Sequence, residues 1–206
     1  MAKSSSTKNW LQRQRKDQFV KQAQQSHYRS RAVYKLKEIN EKDRLISKGQ
    51  TIIDLGAAPG SWSQYASEQV GNDGKVVAID ILPMDPIDNV TFIQGDFTEK
   101  QTLDSCLQAV NDHSVDLVFS DMSPNLTGIM ATDQARYLYL AELAKDLACQ
   151  VLKPGGSLLI KVFEGAGTAE FRRSLTEHFH KIVTRKPEAS RKKSREYYVL
   201  ASTFKI

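Results

Sequence analysis

Apolar residues beyond about residue 50 fall into short β-branched runs that alternate with longer segments of helical spacing. The short runs predict strands at about 51–55, 75–81, 90–94, 115–120 and 156–163. The longer segments predict helices at about 61–70, 99–111, 132–152 and 168–179. Because strands that alternate with helices usually pair in parallel, we expect a mainly parallel sheet with helices on both faces.

The alternation stops near the end of the chain. Two apolar runs, Lys181–Arg185 and Glu196–Ala201, follow each other with no helical segment between them. Two successive strands without a helix between them predict a hairpin. We therefore expect an α/β fold with a seven-stranded sheet in which one strand runs antiparallel to the others.

The first 48 residues have a different pattern. Residues 1–8 are rich in Ser and Lys and predict a disordered tail. Residues 9–25 are polar with few apolar anchors, and residues 29–45 carry apolar residues on one side, so two helices are expected. A length of 206 residues gives no reason for a second domain. We expect one domain over 9–206 with a basic helical extension over about 9–48.

Positive charge is concentrated in two segments. Residues 1–38 have a net charge of +8 and residues 185–195 a net charge of +5, although the whole chain carries only +5. Such clustering is typical of proteins that bind a nucleic-acid phosphate backbone. A basic tail that aids solubility is the alternative.

Composition excludes several other classes of protein. The apolar content of 40% and charged content of 26% are those of a soluble globular domain. No apolar run is long enough to cross a bilayer, and the N-terminus has no apolar secretion signal. Cys106 and Cys149 form no C-x-x-C pattern and predict buried reduced thiols, with no metal site. We expect a cytoplasmic protein without a membrane partner.

The segment Asp54–Trp62 carries the first chemical signal. A strand, a turn of small residues and a helix form the unit that binds nucleotides in doubly wound sheets. Gly56 and Gly60 allow a ligand to approach the main chain. Ala58 replaces the second glycine of the dinucleotide motif, and Asp54 suits a ligand with an amine. The pattern D-x-G-x-x-P-G resembles the first motif of S-adenosylmethionine-dependent methyltransferases, although a purely structural turn is the alternative.

Acidic residues close four strands of the predicted sheet: Asp54, Asp80, Asp96 and Asp121. Asp80, after the second strand, is placed to accept both ribose hydroxyls of a nucleoside. Asp96 would lie beside the adenine ring. Each acid alone is also explained by a cap or a turn. Four acids at the carboxyl ends of the parallel strands, an edge that we call the rim, favour a binding site.

The fourth and fifth strands point to a reactive centre. Amino-group methyltransferases often place an aromatic residue after the fourth strand to stack on a flipped base, but Asn125 stands there. This argues against base-amine chemistry and leaves Asp121 facing the site. Lys161 lies inside an apolar run, where an unpaired ammonium would be costly. The ammonium must be neutralised by a partner, take part in the chemistry of the site, or extend to solvent.

Seven short segments occur in the order and spacing of one known family: Arg29–Leu36, Asp54–Trp62, Leu82–Met84, Gln94–Phe97, Ser120–Asn125, Lys161–Phe163 and Ser194–Glu196. They resemble the FtsJ/RrmJ (RlmE) family of ribosomal RNA ribose 2′-O-methyltransferases. The resemblance runs from Trp10 to Ala201, and Ser61 is a departure where bacterial members usually have glycine.

The resemblance implies a Rossmann-like methyltransferase fold and S-adenosyl-L-methionine as the methyl donor. It implies methylation of a uridine ribose in large-subunit (23S) ribosomal RNA, with the assembled 50S particle as the expected substrate and free RNA as the open alternative. No coiled-coil or edge signal in the sequence calls for more than a monomer. The family's catalytic positions match Lys161, Lys35, Asp121 and Glu196. Its cofactor contacts match Gly60, Trp62, Asp80, Asp96 and Asp121.

Lys161 is the expected base or anchor for the ribose hydroxyl. A nearby Lys35 would favour loss of the Lys161 proton, whereas Asp121 and Glu196 would oppose it. An ammonium that only orients the hydroxyl is therefore an open alternative. Two rival functions also remain: an RNA-binding or ribosome-assembly factor without catalysis, and a small-molecule methyltransferase. The sequence does not identify the modified nucleotide.

Overall fold

The computed structural model describes residues 17–110, 115–191 and 194–205. The predicted tail 1–8, and the part of the first predicted helix before residue 17, lie outside these residues. The helices are α1 (Gln18–Gln25), α2 (Val33–Asp43), α3 (Ser61–Val70), α4 (Lys100–Val110), α5 (Met130–Val151) and α6 (Thr168–His178). The strands are β1 (Thr51–Leu55), β2 (Lys75–Asp80), β3 (Val90–Gln94), β4 (Val115–Ser120), β5 (Leu152–Phe163), β6 (Phe179–Arg185) and β7 (Glu196–Phe204).

All seven strands form one sheet in the order β3-β2-β1-β4-β5-β7-β6. The first five strands pair in parallel, and β7 is antiparallel to both β5 and β6. The expected hairpin and the single antiparallel strand are therefore confirmed. Because β7 runs against its neighbours, its first residue lies at the edge where the parallel strands end.

Helices cover both faces of the sheet, as the alternation predicted. On β1, Ile52 packs against α2 and α3, whereas Ile53 packs toward α4, α5 and α6. Successive side chains of a strand point to opposite faces, so each central strand contributes to both cores. The strands with two covered faces accordingly read as continuous apolar runs. No helix among the described residues is long and apolar enough to cross a membrane.

Some element bounds differ from the predictions. β5 begins at Leu152, directly after α5, because Leu152 pairs with Val115 before a register shift in β4. Helix α2 begins only at Val33 and ends where Arg44 adopts a left-handed conformation. Cys106 is buried, as expected, and Cys149 is only partly buried; both are free thiols.

Candidate active site

Lys161 and Asp121 form an ion pair at the carboxyl edge of the sheet. The Lys161 Nζ atom lies 3.1 Å from Asp121 Oδ1 and donates a 2.5 Å hydrogen bond to the Asp121 carbonyl oxygen. Strands β4 and β5 are neighbours with Ser120 opposite Ile160, which places the next residue of each strand side by side. Only 6% of the Lys161 side chain is exposed. The lysine is thus neutralised within the protein and does not extend to solvent.

Tyr198 completes this pair and was not predicted. Its hydroxyl donates a 2.7 Å hydrogen bond to Asp121 Oδ1, and Tyr198 is the β7 register partner of Lys161. The residue shares a strand face with Glu196, two positions earlier, because side chains alternate along a strand. That period-two relation to a predicted catalytic residue was the signal that would have identified it.

The second ion pair joins Lys35 of α2 to Glu196 at the start of β7. Their charged atoms are 2.8 Å apart, and 13% and 14% of the two side chains are exposed. The Lys35 ammonium also lies 5.7 Å from the centroid of the Tyr198 ring. The structure therefore gathers all four predicted catalytic residues around Tyr198, on the sheet face that α2 and α3 cover.

The charges of this cluster hold both carboxyl groups in their ionised form. Burial by itself raises the pKa of Asp121, but the charges of Lys161 and Lys35 and the Tyr198 hydrogen bond outweigh burial and lower it. Burial likewise opposes ionisation of Glu196, and Lys35 again lowers the pKa overall. Burial and the Asp121 charge raise the pKa of Tyr198 far above 10.0, so its hydroxyl stays a donor.

Asp80 and Asp96 both organise turns at the rim. Asp80 accepts 2.8 Å hydrogen bonds from the Ala58 and Leu82 amides, one on each carboxylate oxygen. Asp96 accepts two 2.8 Å bonds from Thr98 on a single oxygen. The turn-forming explanation considered for each acid therefore applies. A carboxylate has about four lone-pair sites, so these contacts leave acceptor capacity for a ligand.

Trp62 turns its side chain away from the rim. The buried indole donates a 2.8 Å hydrogen bond to the Ala32 carbonyl and packs edge-on against Phe119. Any contact of Trp62 with a ligand must therefore use its main-chain amide, in the first turn of α3, where helical amides lack intrahelical partners. The sequence pattern located the residue but did not show which of its groups faces the site.

The two glycines of the turn accommodate protein loops. Gly56 has φ +76°, and a Cβ there would lie 2.8 Å from Met122 Cγ. Gly60 has φ +101°, and a Cβ there would lie 2.6 Å from Met84 Sδ and 2.8 Å from Ile87 Cδ1. Both positions thus require glycine for conformation and packing, in addition to the ligand contact predicted for Gly60.

Arg29 ties the glycine turn to the loop after β2, a contact that the sequence did not reveal. Its guanidinium donates hydrogen bonds to the carbonyls of Pro59 (3.2 Å), Asp85 (2.6 Å) and Pro86 (2.6 Å). Although Arg29 belongs to the basic N-terminal segment, these carbonyls occupy three of its five donors. It holds together two loops that border the predicted cofactor site.

Asp54 lies beneath the turn with one oxygen unsatisfied. Its Oδ2 accepts a 2.6 Å hydrogen bond from Ser63, whereas Oδ1 is buried without a partner among the described residues. Burial raises the pKa of Asp54 to about 7, and the charges of Asp121 and Asp80 add to the rise. A buried acceptor of this kind suits a cationic ligand.

A cleft of about 500 Å³ opens beside the Lys35–Glu196 pair. We call it the Arg191 cleft. Its walls come from the residues before and within α2 and from the connection between β6 and β7. It is lined by Ser30, Arg31, Ala32, Lys35, Ala189, Arg191, Ser194 and Glu196.

Comparison with known proteins finds methyltransferases, both in the family model and among the relatives. Residues 28–204 match the family model of the FtsJ-like methyltransferases. The ribosomal RNA large subunit methyltransferase E of Marinobacter nauticus is 54% identical over 206 residues, covering 100% of both chains. The protein of the same name from Pseudomonas aeruginosa is 53% identical over 205 residues, covering 100% of this chain and 99% of the relative.

A solved structure agrees with these relatives. The crystal structure of a ribosomal RNA methyltransferase from Plasmodium falciparum superposes with a TM-score of 0.78 at 32% identity. The match covers 86% of this chain and 98% of that one.

Proposed function

The chain belongs to the FtsJ-like methyltransferase family, and from that premise we propose that it methylates the 2′-oxygen of a uridine ribose in large-subunit (23S) ribosomal RNA. The name shared by its close relatives, ribosomal RNA large subunit methyltransferase E, supports the substrate. The ion-paired cluster of Lys161, Asp121, Lys35 and Glu196 supports the chemistry.

The proposed methyl donor is S-adenosyl-L-methionine, whose sulfonium supplies an electrophilic methyl group. The residues at the rim fit this donor. The unpaired buried oxygen of Asp54 suits its positive charge, and Asp80 and Asp96 retain acceptor capacity for ribose and adenine. The residues proposed to hold it are Gly60, Trp62 through its amide, Asp80, Asp96 and Asp121.

The chain's own residues would align and activate the ribose hydroxyl. A ribose hydroxyl is a weak nucleophile until its proton is held or removed, and the buried Lys161 side chain is the group that would do so. Asp121 fixes that nitrogen through both its carboxylate and its carbonyl. Tyr198 in turn fixes the carboxylate. This positioning reduces the entropy that alignment would otherwise cost.

We propose that the substrate is ribosomal RNA within the assembled 50S particle and that the enzyme acts as a monomer in the cytoplasm. The basic excess of residues 1–38 and 185–195 supports a phosphate-rich partner. Within these segments, the exposed Lys21 and Arg191 are available for phosphate contacts.

The observation that carries the proposal is the buried Lys161–Asp121 pair, and Lys161 is the residue to test. Lys161→Ala should lower methyl transfer by a factor of about 10³ or more, because the reacting hydroxyl loses its proton acceptor or anchor. Its affinity for S-adenosylmethionine should stay nearly unchanged. The measurements are tritium-methyl transfer to 50S particles from cells that lack the enzyme, and calorimetric titration with the methyl donor.

Two further variants make this test decisive. Lys161→Met keeps the apolar stem of the side chain and separates loss of the ammonium from loss of packing. Lys153→Ala removes an exposed lysine of the same strand, which pairs with Asp116, and should behave as wild type. Substantial turnover by Lys161→Met would exclude the assigned role. Absence of methyl transfer by the wild-type protein would favour an assembly factor without catalysis.

A further inference from the structure

We propose that the Arg191 cleft binds the 3′-phosphodiester of the nucleotide whose ribose is methylated, with the Arg191 guanidinium as its principal contact. The inference rests on the proposed function, because it takes a ribose 2′-hydroxyl at Lys161 as its starting point. It assigns a defined phosphate to one cleft, which the general excess of positive charge does not do.

The position of the cleft supports this assignment. Lys35 and Glu196 line the cleft and also belong to the catalytic cluster. In RNA, the 3′-phosphate is attached to the carbon next to the one that carries the 2′-hydroxyl. A site that holds the hydroxyl at Lys161 must therefore accommodate that phosphate close by, and the cleft borders the site.

Among the described residues that line the cleft, the charges leave one cation available. Arg31 is already engaged, because its guanidinium binds the Asp17 carboxylate and the Ala189 carbonyl. Glu196 is neutralised by Lys35. Arg191 is exposed, and its guanidinium makes no hydrogen bond or ion pair with any residue that the structure describes. A guanidinium binds phosphate through two parallel hydrogen bonds, which makes Arg191 the group suited to this ligand.

A hydroxyl donor lies on the same wall. The Ser194 Oγ atom accepts a 3.2 Å hydrogen bond from the Glu196 amide, which leaves the hydroxyl proton free to donate. Ser194 and Arg191 are also joined by a 2.9 Å main-chain hydrogen bond. The arginine and the hydroxyl thus lie on the same wall of the cleft and can act on one phosphate.

Contacts at both ends hold the described part of the β6–β7 connection against the protein. The Arg31 contact with Ala189 and a 2.7 Å hydrogen bond from the Glu188 amide to Glu38 fasten the β6–β7 connection to the N-terminal segment. Lys186 donates to the carbonyls of Ser194 and Glu196 at the other end of that connection. Binding would therefore cost little rearrangement, which favours a specific subsite.

The test uses uridine 3′-monophosphate and uridine 5′-monophosphate, with NMR titration as the binding measurement. Wild-type protein should bind the 3′-monophosphate several-fold more tightly. Arg191→Ala should weaken that binding by a factor of about ten and abolish the preference, since a charge-assisted contact is lost. Arg191→Lys should recover part of the affinity, because it restores charge without the planar fork. Arg173→Ala, an exposed arginine of α6, is the matched control.

Methyl transfer gives a second, independent measurement. In Arg191→Ala the KM for 50S particles should rise, the affinity for S-adenosylmethionine should not change, and the salt slope of RNA binding should fall by about one. Equal affinity for the two monophosphates, or an unchanged KM in Arg191→Ala, would overturn the proposal. Failure of the parent function looks different: wild-type protein would transfer no methyl group to ribose, while Arg191 could still select the 3′-monophosphate.

Discussion

The two lysine–carboxylate pairs of the site are built in different ways. Lys161 and Asp121 lie on adjacent strands, and their pair is reinforced by a main-chain carbonyl and by Tyr198. Lys35 and Glu196 come from a helix and an antiparallel strand and contact mainly each other, at the edge of the Arg191 cleft. The first pair is positioned by sheet register, and the second by the packing of the N-terminal segment.

This difference suggests a division of work. A pair set by strand register cannot shift without disturbing the sheet, which suits the atoms that react. The Lys35–Glu196 pair links the N-terminal segment to the start of β7 and lines the cleft, so a ligand in the cleft would contact it directly. We therefore expect the sheet pair to control the chemical step and the helix pair to control engagement of the RNA.

Breaking each pair with an isosteric amide tests this comparison most directly. Asp121→Asn should lower kcat by a factor of about 10² to 10⁴, because the Lys161 ammonium loses its counter-ion beside the reacting hydroxyl. Glu196→Gln should lower activity by a factor of about ten, mainly through KM for the RNA. Steady-state kinetics on 50S particles separates the two outcomes.

Matched controls for this test lie elsewhere on the sheet and on α6. Asp116→Asn changes an acid of β4 that pairs with Lys153, and Glu170→Gln changes an exposed acid of α6. Both should keep wild-type kinetics. Equal effects on kcat from Asp121→Asn and Glu196→Gln would contradict the division of work.

Removing the Tyr198 hydroxyl sharpens the comparison, because only the sheet pair depends on it for a hydrogen bond. Tyr198→Phe should lower kcat several-fold. The hydroxyl helps to hold the pKa of Asp121 low, so its removal raises that pKa. Asp121 then becomes protonated at a higher pH on acidification, and the acid limb of the pH–rate profile should move to higher pH.

The same profile measured for Tyr139→Phe provides the reference, since Tyr139 is 57% exposed. An acid limb that stays in place in Tyr198→Phe would mean that the hydroxyl does not influence the reacting carboxylate.

Asp54 gives the smallest expected effect on activity and a distinct effect on stability. Its pKa is about 7 in the folded protein against an ordinary value of 3.8. Between these values the folded protein binds more protons than the unfolded chain, so the free energy of unfolding falls as pH rises and levels off above pH 7. Asp54→Asn should remove up to a few kcal/mol of this fall.

Urea unfolding at several pH values measures the effect. Asp73→Asn, at an exposed position, should keep the wild-type dependence. A wild-type stability that does not decline relative to Asp54→Asn between pH 4 and 7 would show that the buried acid is not proton-linked in this range.

Much of the architecture followed from the sequence, because burial imposes a period on each element. All seven strands were predicted near their observed positions, and the missing helix between β6 and β7 correctly indicated a hairpin. The bounds that differed, such as the early start of β5 at Leu152, depend on strand pairing. Local propensity contains no information about such a partner.

The individual groups of the site were less predictable than its location. Trp62 was expected at the cofactor, yet its indole packs in the core. Arg29 was counted among cations available to RNA, yet its guanidinium binds three carbonyls. A motif identifies a residue, whereas the direction of a long side chain depends on neighbours that are distant in the sequence.

The sequence by itself determined the order of elements, the acids at the strand ends and the four residues proposed for catalysis. Those features depend on local periodicity and on short motifs. Only the tertiary structure decided that Tyr198 joins Asp121, that Lys35 meets Glu196, and that a cleft opens beside the Lys35–Glu196 pair. The physical reason is that the antiparallel β7 returns its first residues to the rim, where charges from distant segments can pair only after the sheet has formed.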